Sequence, residues 1–205
     1  MVLGADRLIR ARRLADPLDA SDLIPGFRPE TPLETALACQ PELLAGLAWG
    51  EPRPGHPEGS VGHHVADLLR QIDETEQDPD RRYALRFIAL VHDSFKYQVR
   101  NWQPRTGENH HAMRARRFAE RFVSDERVLT TIELHDRPYH LWKRLDRTGR
   151  LQEARLERML ERIPDHALFL RFVEIDASSE AKDQQPIRWF RELLRERGLV
   201  GWPRP

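Results

Sequence analysis

A single cysteine, Cys39, occurs in the 205 residues. One thiol leaves no internal disulfide and no cysteine-built zinc cluster. Net charge is missing too, since 33 basic side chains balance 33 acidic ones. Gripping long nucleic acid by charge requires a cationic excess, so nucleic acid is not an expected partner. Lysine is scarce: Lys96, Lys143 and Lys182 are the only three, and the other 30 basic residues are arginine. The strongest apolar run, Phe87 to Val91, is five residues long, far below the roughly 18 of a membrane span. The opening Met-Val-Leu-Gly-Ala-Asp-Arg has no signal-peptide apolar core, so a cytoplasmic location is expected. Neither strand-like alternation nor an internal repeat is evident.

What is present is helical periodicity. Hydrophobic residues make up 40% of the chain and charged residues 32%, enough apolar material for one domain with a core. A first short helix is expected over Leu3–Ala15. Thr31-Pro32-Leu33-Glu34 reads as a capping box with proline at the first helical position. Further helices are expected over 60–76, 80–93, 109–123 and 125–136, one or two over 139–162, then 165–181 and one opening at Pro186. The expected fold is all-α with one core: a compact helical bundle with a helical N-terminal extension.

The nine histidines sort by helical face. On helix 60–76 the apolar stripe is Val61, Val65, Leu68 and Ile72; His64 lies on it and His63 faces water. On helix 109–123 the stripe is Ala115, Phe118, Ala119 and Phe122; His111 joins it, while His110 aligns with Arg114, Arg117 and Arg121. His135 continues Val128 and Ile132, Asp176 continues Phe169, Phe172 and Val173, and His92 follows Leu85 and Ile88 with Asp93 beside it. Six titratable groups on five helices therefore point inward: His64, His92, Asp93, His111, His135 and Asp176. Buried charges must be paired or bind metal. An imidazole–carboxylate set suits a divalent ion such as Mn, Fe, Co, Ni, Mg or Zn.

The order His64, His92-Asp93, Asp176 resembles the HD-domain superfamily of metal-dependent phosphohydrolases. Leu90-Val91-His92-Asp93-Ser94-Phe95-Lys96 is similar to that family's apolar-apolar-His-Asp-x-x-Lys segment. His56-Pro57-Glu58-Gly59-Ser60-Val61-Gly62-His63-His64 is similar to a segment of the HD regions of bacterial tRNA nucleotidyltransferases, and it too selects His64 over His63. Two positions depart: Phe95 stands where many members have glycine, and Ser60 where the segment has aspartate. The resemblance covers about residues 48–182. It implies an HD-like metal-binding domain there, after an extension over 1–47 packed on the core and before a C-terminal helix and tail over 183–205. Nothing ahead of residue 48 resembles a nucleotidyltransferase head.

Carried over, the family's four ligands fall on His64, His92, Asp93 and Asp176. His111 and His135 occupy the order of a second-metal pair in some members, with His110 as the substitute for His111, so one or two ions per chain are implied. The implied activity is hydrolysis of a phosphomonoester or phosphodiester in a nucleotide or small phosphorylated metabolite. Asp93 and Lys96 are then the catalytic candidates. Lys96, Arg114, Arg137 and Glu58 are the substrate-binding candidates, Lys96 being equally suited to a salt bridge with a nearby carboxylate. Three other classes share parts of the pattern: a nucleotide-binding sensor without turnover, a di-iron oxygenase on the same fold, and an RNA-processing factor.

Overall fold

The structure, a computed structural model, describes residues 18–52, 59–178 and 182–201. The expected helix over 3–15, His56 and Glu58 lie outside the described residues. Within them the fold is all-α, with no strand. The helices are α1 (Pro32–Ala38), α2 (Pro41–Leu47), α3 (Val61–Thr75), α4 (Pro79–Val91), α5 (His111–Ala119), α6 (Glu126–Leu134), α7 (Arg137–Thr148), α8 (Glu153–Arg162), α9 (His166–Asp176) and α10 (Gln185–Glu196). None of the described helices is long and apolar enough to cross a membrane.

Local chemistry sets the helix starts. The side chains of Thr31, Ser60, Asp78, Asp125 and Asp165 each accept a backbone N–H in the first turn of their helix, satisfying donors that have no partner inside the helix. The expected capping box at α1 forms only in half. Thr31 Oγ1 accepts from Glu34 N at 3.1 Å, but the Glu34 carboxylate accepts from Glu30 N at 2.7 Å, one residue before the cap. The reason is a stronger partner: Glu34 is clamped by Arg86 of α4, with Nε to Oε1 at 2.8 Å and Nη2 to Oε2 at 3.0 Å. Arg86 also donates to Asp73 of α3 at 2.7 Å and to the Arg28 carbonyl at 3.1 Å. One buried guanidinium thus ties α1, α3 and α4 together. The region 139–162 resolves into two helices because Gly149, at φ 65°, takes the left-handed conformation that ends α7.

The expected single core is two apolar clusters. The first gathers α1 to α6, including Leu43, Leu47, Val65, Ile72, Leu85, Ile88 and Phe118. The second gathers Leu141, Leu156, Leu160, Ile187 and Phe190 from α7, α8 and α10. Helix α9 serves both, because it is apolar nearly all round. Leu168, Phe172 and Ile175 enter the first cluster, and Phe169, Leu170 and Val173 enter the second.

Helix α2 crosses the turn after α4 with almost no clearance. A Cβ on Gly46 would sit 1.6 Å from the Ser94 carbonyl oxygen. The obstructing atom is backbone, so it yields only if the turn carrying Asp93 moves. Gly46→Ala is therefore expected to destabilise the protein by about 1–3 kcal/mol or more. A thermal melt checks this: a lowered melting temperature is expected.

Candidate metal centre

The six inward groups sit mostly at helix ends. His64 lies in the first turn of α3, and His111 is the first residue of α5. His92 and His135 are the C-caps of α4 and α6, and Asp176 is the last residue of α9. A helix end leaves carbonyls without intrahelical partners. Two of these orient imidazoles: His92 Nδ1 lies 3.0 Å from the Ala89 carbonyl and His135 Nδ1 lies 2.8 Å from the Ile132 carbonyl. A carbonyl only accepts, so each Nδ1 must carry the proton. Each Nε2 is then turned toward the centre, the arrangement common in metal-binding histidines.

All six groups come together. His64 Nε2 is 3.0 Å from Asp176 Oδ1, and His92 Nε2 is 3.9 Å from the same oxygen. Asp93 is the hub, with Oδ2 3.5 Å from His92 Nε2 and Oδ1 3.4 Å from His111 Nε2 and 3.6 Å from His135 Nε2. His64, His92 and Asp176 form one group able to hold an ion, and His92, Asp93 and His135 form another. Tetrahedral ligands at about 2.1 Å from an ion stand roughly 3.4 Å apart, longer than an ordinary N–H···O hydrogen bond of about 2.9 Å. The distances around Asp93 match the former. His92 Nε2, Asp93 Oδ1 and His111 Nε2 are moreover buried with no hydrogen-bond partner. Buried polar atoms without partners are costly, and cations bound within these groups would offset that cost.

Electrostatics prepare the same set. Burial pushes the Asp93 carboxyl upward, but Lys96 and His92 overcome this and hold it well below the usual range. Burial raises Asp176 likewise, and Lys182 and His64 bring it down. Burial keeps His92 and His111 below the ordinary histidine value and therefore neutral. Burial also opposes charge on His135, yet the neighbouring carboxylates of Asp93, Asp136 and Asp176 hold it up at about 9. His135 thus carries a proton that cation binding must displace.

The remaining sequence candidates divide. Lys96 forms the salt bridge that was one of its two expected roles, its ammonium lying against Asp93 Oδ2. Arg137 lines a cavity beside the centre. Arg114 does not line the cavities described here; it donates to Gln98 at 3.2 Å. His110, aligned by the helical pattern with the outward arginines, is instead buried. Helix α5 starts two residues later than the expected 109, so His110 is an extended N-cap outside the helical face. Its Nε2 lies 3.3 Å from Asp136 Oδ2. Sequence reasoning missed Asp136, which faces His110, His111 and, at 3.5 Å, His140. It also missed Lys182, whose ammonium donates to the Asp176 carbonyl at 2.6 Å and to Oδ1 at 3.1 Å. Asp136 directly follows His135 and was there to be read as part of that helix end. Lys182 lies in a segment with no periodicity.

Two cavities meet at the centre. One, of about 580 Å³, is lined by Asp93, His111, His135 and Asp176. The other, of about 750 Å³, is lined by Trp49, Arg137 and other basic residues, and shares Lys96, Arg105, His111, Asp136 and His140 with the first. No protein-family model, no curated protein and no solved structure matches this chain significantly.

Proposed function

We propose that this chain is a metal-dependent phosphohydrolase of the HD type, cleaving a phosphomonoester or phosphodiester of a nucleotide or small phosphorylated metabolite. The observation that carries the reading is the convergence of the six inward groups, with unpartnered buried donor atoms, beside a cation-lined cavity. His64, His92, Asp93 and Asp176 are the residues that would hold one divalent ion, and Asp93, His111 and His135 those for a second. Such an ion supplies Lewis acidity and activates water at neutral pH.

The chain's own residues do the rest. The Ala89 and Ile132 carbonyls fix the tautomers of His92 and His135. Phe172 packs edge-on against His92 at 5.1 Å and keeps the buried side of the centre dry. Lys96 and Lys182 balance the two carboxylates, so neither is left as an uncompensated buried charge. Arg137 stands on the wall of the neighbouring cavity, where its guanidinium would pair with phosphoryl oxygens of a ligand lying there. The cationic wall favours an anionic ester over the oxygenase alternative, whose chemistry does not require an anionic substrate.

Elemental analysis of protein purified without chelator, followed by an assay on p-nitrophenyl phosphate and bis-p-nitrophenyl phosphate with Mn, Fe, Co, Ni or Mg, tests this. Bound metal and chelator-sensitive release of nitrophenol are expected. Protein that holds no metal and releases none, or that consumes oxygen with ferrous iron instead, overturns the reading.

A further inference from the structure

Helix α7 carries Arg137, His140, Arg144 and Arg147. Their spacing of i, i+3, i+7 and i+10 places them on one helical face, and all four line the larger cavity. Across ten residues at 1.5 Å each, that stripe is about 15 Å long. Lys143, Arg105 and Arg155 of the start of α8 line the cavity too. Counting Lys96, seven lysine and arginine side chains face a lining with a single carboxylate, that of Asp136.

Most of the described arginines elsewhere are paired, although single ones such as Arg100, Arg150 and Arg188 are not. Arg82, Arg86, Arg116, Arg121, Arg162 and Arg197 all have carboxylate partners. Among the described residues no carboxylate forms an ion pair with Arg105, Arg137, Lys143, Arg144, Arg147 or Arg155. The chain as a whole is neutral, so this is a local gathering of like charge. Like charges held together without counter-charge repel, and a cleft so lined concentrates anions.

Of this stripe only His140 also lines the cavity of the Asp93–Asp176 centre, so a single phosphoryl group held there leaves Arg144 and Arg147, one and two turns farther along α7, unused. We infer, resting on the metal-centre reading above, that the ligand carries an oligophosphate chain: one end lies at the centre and the remaining phosphoryl groups lie along α7. The cavity volume of about 750 Å³ suits one small ligand rather than a strand that continues past it. Trp49, which is 39% exposed on the same wall, is placed to stack on a base if the chain belongs to a nucleotide.

Titration calorimetry on the full-length protein tests this with inorganic tripolyphosphate, orthophosphate, a nucleoside triphosphate and a short single-stranded oligonucleotide. Tripolyphosphate is expected to bind at least about tenfold more tightly than orthophosphate. The Arg144→Ala/Arg147→Ala double variant is expected to lose about tenfold or more of that affinity, while keeping its metal content. Arg188→Ala, on the exposed face of α10, is the control and changes nothing. A nucleoside triphosphate that binds still more tightly, with the excess removed by Trp49→Ala, identifies the nucleotide source; equal affinities identify the phosphate chain alone. Equal binding of tripolyphosphate and orthophosphate overturns the inference. So does an unchanged double variant, or an oligonucleotide that binds best with the steepest salt dependence. Metal content and nitrophenol release in the same samples report on the catalytic reading, so either idea can fail alone.

Discussion

Asp93→Asn protein is expected to fold, keep its helical content, and lose bound divalent cation and phosphate-ester hydrolysis together. Asparagine nearly matches aspartate in volume, so the buried site repacks little. What disappears is the charge that faces His92, His111 and His135 at 3.4–3.6 Å. Asp93 belongs to one group of donors and faces His92, which belongs to both, so its loss weakens one cation position directly and the other through His92. Replacing even an outer partner of a metal ligand costs about 10–100-fold in affinity, and removing a ligand itself costs more. Activity is expected to drop by about 10³-fold or beyond, the scale of losing one aimed electrostatic group in an active site. Lys96 survives the change because its side chain is 26% exposed and can turn to water. Circular dichroism, elemental analysis and the nitrophenyl assay measure the three quantities. A variant with full metal and full turnover contradicts the proposed role of Asp93.

Glu34→Ala carries the largest expected stability loss, about 3–5 kcal/mol. Arg86 and Glu34 are each only 2% exposed, and the substitution leaves a buried guanidinium without its bidentate partner. Asp73 at 2.7 Å, Glu30 at 3.3 Å and the Arg28 carbonyl at 3.1 Å remain, but Nε loses its acceptor and the fork its one fully buried counter-charge. For a chain of this length the melting temperature falls by about 10 °C. Urea denaturation of the variant, set beside a Glu34→Met/Arg86→Met double variant, separates charge from packing. Buried ion pairs exchanged for apolar residues are often near neutral, so the double variant should recover most of the loss. A double variant as unstable as the single one would place the effect in packing instead.

The two variants also mark what the sequence makes legible. His64, His92, Asp93, His111, His135 and Asp176 could be found because each falls on, or continues, an apolar helical stripe, and helical periodicity is a local property. The Arg86–Glu34 clamp could not be found that way. Arg86 interrupts the apolar face of α4, and its partner lies 52 residues away, so only the folded arrangement explains it. His110 shows the limit at a helix boundary: face arithmetic applies only within the helix, and α5 begins at His111. The two-part interior was hidden because α9 is apolar nearly all round, which the pattern does not assign to one side or two. The α7 stripe was visible as spacing, but a row of arginines reads as a solvated face until α8 and the 97–109 loop are seen to wall it in.

Three of the donor groups stand where helices finish: His92 after α4, His135 after α6 and Asp176 closing α9. Each finishing end carries the negative pole of a backbone dipole, roughly half an elementary charge. Three such poles beside one set of donors form a field that belongs to the main chain. Side-chain substitutions leave that field in place, so even a variant stripped of its carboxylates retains a residual pull on positive ions. That same pull is a physical reason for Lys96 and Lys182 to settle there.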